Sequence, residues 1–319
     1  MSYTQLTSAH RYTLSEMNWQ GFSATDIAIE LGCDRSTVYR ELKRNSCNDG
    51  GYRPSKAVTR TKTRRSHSRR NSHYGPESFR LIRKLLRKKF SPKQVIGHIR
   101  RYKLMDKIPS HEVIYQYIWR DKAYGGSLWK CLRQSSKKRR KRYNAYDSRG
   151  RLANKRHISE RPKTVEGRRY FGHWEIDTVK GTGSKDCIVT IVERKTGFVQ
   201  IGKLNNSSTA ELNKRTLKLI NRFSHCFKTI TSDNGTEFHQ YKKIEEQTNL
   251  KFYFANPYHS WERGSNENTN GLIRQYLPRG TTMESLTQQQ CDYIADQLNN
   301  RPRERYDFIT PQELFNAYV

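Results

Sequence analysis

A tract from Arg133 to Arg156 sets the terms on which this chain folds. It holds eleven Lys and Arg residues against a single acid, Asp147, and includes the run KKRRKR at 137–142. Like charges at that density cannot share a hydrophobic core, so the tract reads as the natural boundary between domains. A second tract, Arg53 to Pro76, has eight basic residues and no acid, with Ser, Thr and His between them. It reads as a mobile, phosphate-tracking linker. The alternative is a solvated spacer that touches nothing. With 319 residues there is room for two or three domains. The expected division is 1–50, a basic linker over 51–76, a helical segment over 77–132, a second linker over 133–160, and a last domain over 161–319.

The charge is as uneven as the tracts suggest. Residues 1–159 carry 38 basic and 11 acidic side chains, whereas 160–319 carry 23 and 19, within a net charge of +31. A field so large and one-sided selects a polyanion, with nucleic acid ahead of a membrane surface. No apolar run approaches bilayer length, and the N-terminus, MSYTQLTSAHRYTL, lacks the apolar centre of a signal peptide. A cytoplasmic protein with no membrane partner is expected. Six scattered cysteines with no C-x-x-C pair read as free thiols rather than as disulfides or a zinc site.

Residues 6–45 predict three helices. The first runs through Leu14 and Met17 to about Gly21. Ser23 with Asp26 three residues on forms a capping box for a second, closed by Gly32, and Asp34 caps a third. Val38 and Leu42 turn that third helix inward. Arg35, Ser36, Thr37, Tyr39 and Arg40 are left on its outer face and near its N-terminus, where a helix-turn-helix reads base edges. Lys43 and Arg44 follow as phosphate contacts; the alternative is a small bundle with a solvated basic face.

Further on, Phe79, Ile82, Leu85 and Leu86 recur at helical spacing, and Ser91-Pro92-Lys93-Gln94 combines an N-cap, a proline at the first helical position and a capping-box glutamine. Ser110 caps another helix whose Ile114, Tyr117 and Ile118 face inward while His111, Glu112, Tyr115 and Gln116 face out. This is either a second helix-turn-helix-like DNA-binding unit or a structural three-helix spacer.

From His173 the period changes to two. Strands over 174–179, 187–192 and 198–204 form an antiparallel meander, followed by a helix capped at Ser208, a strand ending at Asp233, a helix over 242–248 and a strand over 251–255. That order is the order of the ribonuclease H-like fold. The chain is therefore expected to be multidomain, with N-terminal all-α helix-turn-helix units followed by an α/β ribonuclease H-like, retroviral-integrase-like domain.

Three acids stand out in this half. Asp177 shares one strand face with Glu175 and Val179, a costly place for a carboxylate without a cation. Asp233 sits at a strand's C-terminal tip before Asn234-Gly235, where open α/β sheets put ligands, although Asp-Asn-Gly is also ordinary turn chemistry. Glu267 follows with thirty-three residues between, on a helix that Ser265 is expected to cap, two turns before Arg274. A salt bridge for Asp177 and a surface pair for Glu267 with Arg274 are the bland alternatives. Before that helix lies Pro257-Tyr258-His259-Ser260-Trp261-Glu262-Arg263-Gly264, an aromatic and basic loop suited to stacking bases and gripping a backbone.

The segments GHWEIDTVKG, TIVERKTGFV, TITSDNGTEF, YFANPYHSWERGSNENTNGLIRQYLPRGT and QLNNRPRERYDFITPQELF closely resemble the catalytic domain of bacterial DDE transposases of the insertion sequence thirty family. The resemblance extends to IAIELGCDRSTVYRELKRN and to SPKQVIGHI with PSHEVIYQYI. It implies that Asp177, Asp233 and Glu267 are the catalytic triad and that they hold two Mg²⁺ ions, roughly 4 Å apart, for which Mn²⁺ substitutes. It also implies a bacterial, nucleoid-associated enzyme that binds terminal inverted repeats, hydrolyses a phosphodiester to free a 3′-hydroxyl and joins that hydroxyl to target DNA, as at least a dimer at the synapse. Arg263, Asn268 and Arg274 become candidates for phosphate contact or for orienting Glu267. A non-catalytic DNA-binding regulator with a ribonuclease H-like dimerisation domain is the alternative, and a nuclease that cuts without joining is another. An integrase of the retroviral type would normally carry a His-His-Cys-Cys zinc module, which the cysteine and histidine positions here do not supply.

Overall fold

The structure, a computed structural model, describes all residues except 1–4, 69–73, 134–154, 184 and 258. The KKRRKR run and most of the tract around it lie outside the described residues, as does Tyr258 of the aromatic loop. The chain forms two compact units, Met1–His73 and Tyr74–Val319.

The first unit holds α1 (Ser8–Trp19), α2 (Ala24–Glu30), α3 (Arg35–Asn45) and α4 (Pro54–Ser68). The expected caps are present: Ser23 and Asp26 bond reciprocally, and the Asp34 carboxylate accepts from the backbone N–H of Ser36. Leu14, Ile27, Ala28 and Val38 are buried together. Beneath them Arg11 meets Glu41 at 2.6 Å, and the same carboxylate accepts from Asn45 and from the Tyr52 hydroxyl.

Helix α4 corrects the reading of 53–76 as a structureless tether. Its basic side chains have a specific use. Arg60 donates to the carbonyls of Asn45 and Ser46 at 2.8 Å each, and Arg64 to the carbonyl of Arg44 and the side chain of Asn45. These are orphan acceptors at the C-terminal end of α3, where cations are also favoured by the helix dipole. Ala57 is buried in the same core. A high basic count therefore hid a helix whose arginines close another helix's end.

The second unit begins with α5 (Pro76–Arg87), α6 (Pro92–Arg101) and α7 (His111–Ala123), packed around Ile82, Leu86, Val95, Ile99, Ile114 and Ile118. Five strands follow: β1 (His173–Lys180), β2 (Cys187–Glu193), β3 (Val199–Leu204), and then, after α8 (Thr209–Asn221), β4 (Thr229–Ser232), and after α9 (Lys242–Gln247), β5 (Lys251–Phe254). Their order in the sheet is β3-β2-β1-β4-β5, with β1 to β3 antiparallel and β4 and β5 parallel to β1. This mixed sheet is ribonuclease H-like, as the element order predicts.

The sheet has two covered faces. One packs Trp174, Ile176 and Ile230 against α8 and α9, with Phe315 from α12 (Pro311–Asn316) closing its edge. On the other, Val179, Ile188 and Val192 meet α10 (Gly264–Ile273) and α11 (Gln288–Asn299). The alternation of β1 thus turns Glu175 and Asp177 toward α10. Helix α6 docks on the segment between α11 and α12: the Gln94 side chain donates to the carbonyl of Pro302 and accepts from Arg301 Nε. Gly97 is required there, because a Cβ would fall 2.0 Å from the Phe308 ring.

Candidate active site

Register brings the first two acids together. In the β1/β4 pairing, His173 lies beside Thr229 and Glu175 beside Thr231. Continuing that register sets Asp233, one residue past β4, level with Asp177 on the neighbouring strand. Both are partly exposed, with side chains 22% and 28% accessible. Between them sits Arg263, 3.5 Å from Asp177 and 3.3 Å from Asp233, and its guanidinium also donates to the carbonyl of Ile176.

Each acid is held in place by its surroundings. Asp177 accepts from Asn270 Nδ2 at 2.8 Å and from the N–H of Thr178. Asp233 accepts from the N–H of Gly235 at 3.0 Å. Burial pushes the Asp177 carboxyl above the usual carboxylate range; Arg263 opposes that and the nearby charge of Asp233 adds to it. Two carboxylates at close quarters with a cation between them are the electrostatic signature of a cation site.

Glu267 lies on α10, is exposed, and makes no hydrogen bond or ion pair with a described residue. It lines a cleft of about 770 Å³ together with Asp177, Arg263, Asn270 and Arg274. The surface pair of Glu267 with Arg274, the bland alternative, does not form. Arg274 donates instead to the carbonyls of Lys180 and Leu277. Asn268 accepts from Arg133 at 3.0 Å and, like Arg274, makes no bond to Glu267.

Ser265 does not cap α10. The helix has no side-chain cap of its own, and Ser265 sits inside its first turn with an unpartnered Oγ. The acceptor comes from the sheet: Glu175, fully buried, takes the backbone N–H of Asn266 at 2.9 Å with one oxygen and Arg194 at 2.8 Å with the other. A carboxylate at that position both satisfies an orphan donor and complements the helix dipole. Sequence reasoning placed Glu175 on the right face but gave it no role. Asn270, three residues after Glu267, was legible from spacing alone, since i and i+3 share a helix face.

The donor set suits a hard divalent cation, because its ligands are carboxylate oxygens. Among the described residues, however, no group of three or more His, Cys, Asp and Glu side chains comes close enough to hold a metal ion. Asp177 and Asp233 converge, Arg263 takes the cationic place beside them, and Glu267 stands on the cleft wall.

The remaining candidates lie elsewhere. Arg35, Tyr39, Arg40, Lys43 and Arg44 are exposed on α3, with Ser36 and Thr37 half-buried. The Arg35 guanidinium lies 5.9 Å above the Tyr39 ring. His111 and Gln116 are exposed and Tyr115 half-buried on α7, and none of the three lines the carboxylate cleft. Trp261 is exposed and stacked on His259, with ring centroids 4.3 Å apart.

Residues 167–260 match the Integrase core domain family and residues 2–45 a Helix-turn-helix domain family. The chain is 40% identical to the transposase for insertion sequence element IS4351 of Bacteroides fragilis, over 98% of this chain and 96% of that one. It is 35% identical to the transposase InsI for insertion sequence element IS30A of Escherichia coli (strain K12), over 92% and 78%. Among solved structures, the catalytic core domain of BIV integrase aligns with 47% of this chain and 96% of its own, at 19% identity and a TM-score of 0.37.

Proposed function

Because the chain belongs to the family of insertion-sequence transposases that includes those of IS4351 and IS30A, enzymes that cut and transfer DNA strands, we propose that Asp177, Asp233 and Glu267 are its catalytic carboxylates. The observation that carries this is the convergence of Asp177 and Asp233 from adjacent parallel strands on one guanidinium, beside a cleft that Asp177, Arg263 and Glu267 line. The three would hold two Mg²⁺ ions, or Mn²⁺ in their place. Bound there, the metal supplies the Lewis acidity that activates an attacking oxygen and steadies the leaving oxygen of a phosphodiester.

The chain's own residues do the rest. Asn270 fixes the rotamer of Asp177, and the Glu175–Arg194 pair anchors the first turn of α10, which holds Glu267 against the sheet. Arg263 balances the two aspartates, and with a divalent cation held by the carboxylates its guanidinium would be available to a DNA phosphate. In the first step water attacks the phosphodiester at the element's end; the bond from phosphorus to the element's own 3′ oxygen breaks, that oxygen takes up a proton to become a 3′-hydroxyl, and the phosphate stays on the flanking strand's 5′ end. In the second, that hydroxyl attacks a target phosphodiester and displaces its 3′ oxygen.

Helix α3 would read the terminal inverted repeats through Arg35, Ser36, Thr37, Tyr39 and Arg40, with Lys43 and Arg44 on phosphates. The α5–α7 segment, residues 77–132, would add DNA contacts through His111, Tyr115 and Gln116. Joining two ends calls for at least two copies of the chain. Asp233→Ala tests the assignment: end binding should persist while Mg²⁺-dependent cleavage and joining of end-bearing DNA disappear. Cleavage by that variant would refute it, and absence of metal-dependent cleavage by the unmodified protein would favour the regulator instead.

A further inference from the structure

A second cleft, of about 470 Å³, opens beside the carboxylate cleft and shares Arg133, Gly264 and Asn268 with it. Its walls come from the start of α6, the first turns of α10 and the segment Arg301–Arg305. Three arginines of that segment line it, and among the described residues none of them has a carboxylate partner.

Arg301 is buried and bonds only neutral groups, Gln94 Oε1 and Gln275 Oε1. Arg303 donates to the carbonyl of Leu298. Arg305 lies over the Tyr306 ring and donates to its hydroxyl. The acid on the rim, Glu304, is already engaged by Lys93 at 3.1 Å. Burial, with the neighbouring arginines adding repulsion, lowers Arg303 to about 9; Arg301 falls to about 10, again through burial first. A second observation points into the same space. Ser265 lines this cleft, is 5% exposed, and its Oγ makes no hydrogen bond.

Buried arginines are normally matched to acids, and this chain matches them where it needs only stability, as at Arg11–Glu41 and Arg194–Glu175. A cationic cleft left unmatched, with an idle hydroxyl in its wall, lacks an anion. The guanidinium fork suits a phosphate's oxygens. We propose that this cleft binds a backbone phosphodiester of DNA through Arg301, Arg303 and Arg305, with Ser265 donating its hydroxyl. A strand bound there continues past Arg133 toward the carboxylates. The inference rests on the chain's being a DNA-processing enzyme and not on which carboxylates are catalytic.

The test uses the full chain in EDTA, a 20-base-pair duplex of arbitrary sequence, and fluorescence anisotropy across a KCl series. Each phosphate contact on B-DNA adds about 0.9 to the slope of log affinity against log salt. Arg303→Gln with Arg305→Gln should therefore lower the slope by about 2. The Lys double variant at the same positions should restore it. Lys242→Gln with Lys243→Gln, an equal charge change at exposed positions of α9 on the opposite face of the sheet, should leave it unchanged. The thermal midpoint of the Arg-to-Gln variant should hold or rise, because repulsion is relieved.

An unchanged slope, or an equal fall in the α9 variant, overturns the proposal. So does a lowered midpoint without a slope change, which is the mark of a purely structural role. Inorganic phosphate supplies the last arm. If it raises the midpoint of the unmodified protein but not of the Arg-to-Gln variant, while the slopes agree, the cleft holds a small anion and not DNA.

Discussion

Two arginines of the second unit meet acids of β1, Arg194 at Glu175 and Arg263 at Asp177 with Asp233 beside it, and the resulting sites are opposites. Arg194 touches Glu175 at 2.8 Å with almost no solvent access, and the other oxygen of that acid is used by a helix N–H. Arg263 reaches Asp177 and Asp233 at 3.5 and 3.3 Å, at the mouth of an open cleft. The chemistry of the partners is nearly the same. What separates the closed site from the open one is that the first uses both carboxylate oxygens of Glu175 in the dry, while the second keeps oxygens facing solvent that another cation can claim.

The largest effect expected from breaking this contrast is on the open side. Asp177→Asn should slow single-turnover cleavage of end-bearing DNA by at least about a thousandfold, since metal chemistry supplies several kcal/mol of transition-state stabilisation. Its thermal midpoint should hold or rise, because one of two neighbouring like charges is removed. On the closed side the outcome inverts. Glu175→Ala should cost about 3–5 kcal/mol in urea unfolding by leaving Arg194 charged and unmatched, and Glu175→Gln with Arg194→Met should recover part of that loss.

A smaller effect concerns the lining of the closed side. His173, hydrogen-bonded to Thr229, is pushed down to about 4, first by burial and then by Lys228, Arg161 and Arg194. The unfolded histidine takes up its proton near pH 6.5, so between that pH and 4 the unfolded chain binds more protons. Stability is therefore full above the window and falls as the pH drops through it. Between pH 7 and 5 the loss from this group should be about 2 kcal/mol, and His173→Asn should remove that share of the pH dependence in urea titrations. The smallest effect is expected at Arg263→Gln. Its partners are looser and wetter, so unfolding should change by about 1 kcal/mol or less. Tb³⁺ luminescence should report a several-fold gain in lanthanide affinity once the competing guanidinium is gone.

Much of the sheet was legible because it depends on short-range signals. Period-two alternation, a strand ending at Asp-Asn-Gly and the caps at Ser23, Asp34, Ser91, Ser110 and Ser208 all survive in the structure. Helix α4 was missed because composition cannot say whether an arginine is solvated or reaches a carbonyl fifteen residues away. The cap of α10 was misassigned to Ser265 for a related reason: its true acceptor lies 91 residues upstream, and a long-range bond leaves no local pattern. Asp177, Asp233 and Glu267 each have a bland reading when taken alone, and it is their spacing and the family resemblance that group them; the guanidinium between the first two leaves no such signal, since Arg263 reads as part of an aromatic, basic loop.

The alternation of β1 carries one more implication. Glu175 and Asp177 are two residues apart on the face toward α10, and β2 pairs them opposite Val192 and Thr190. Were that pairing to slip by a single residue, both acids would turn to the face packed against α8 and α9. The anchor of the helix and the first carboxylate of the cleft would be lost in the same event. This strand therefore works as an alignment gauge: the protein has one tolerance to keep where two independent ones would otherwise have been needed, and a misregistered chain is disarmed rather than merely weakened.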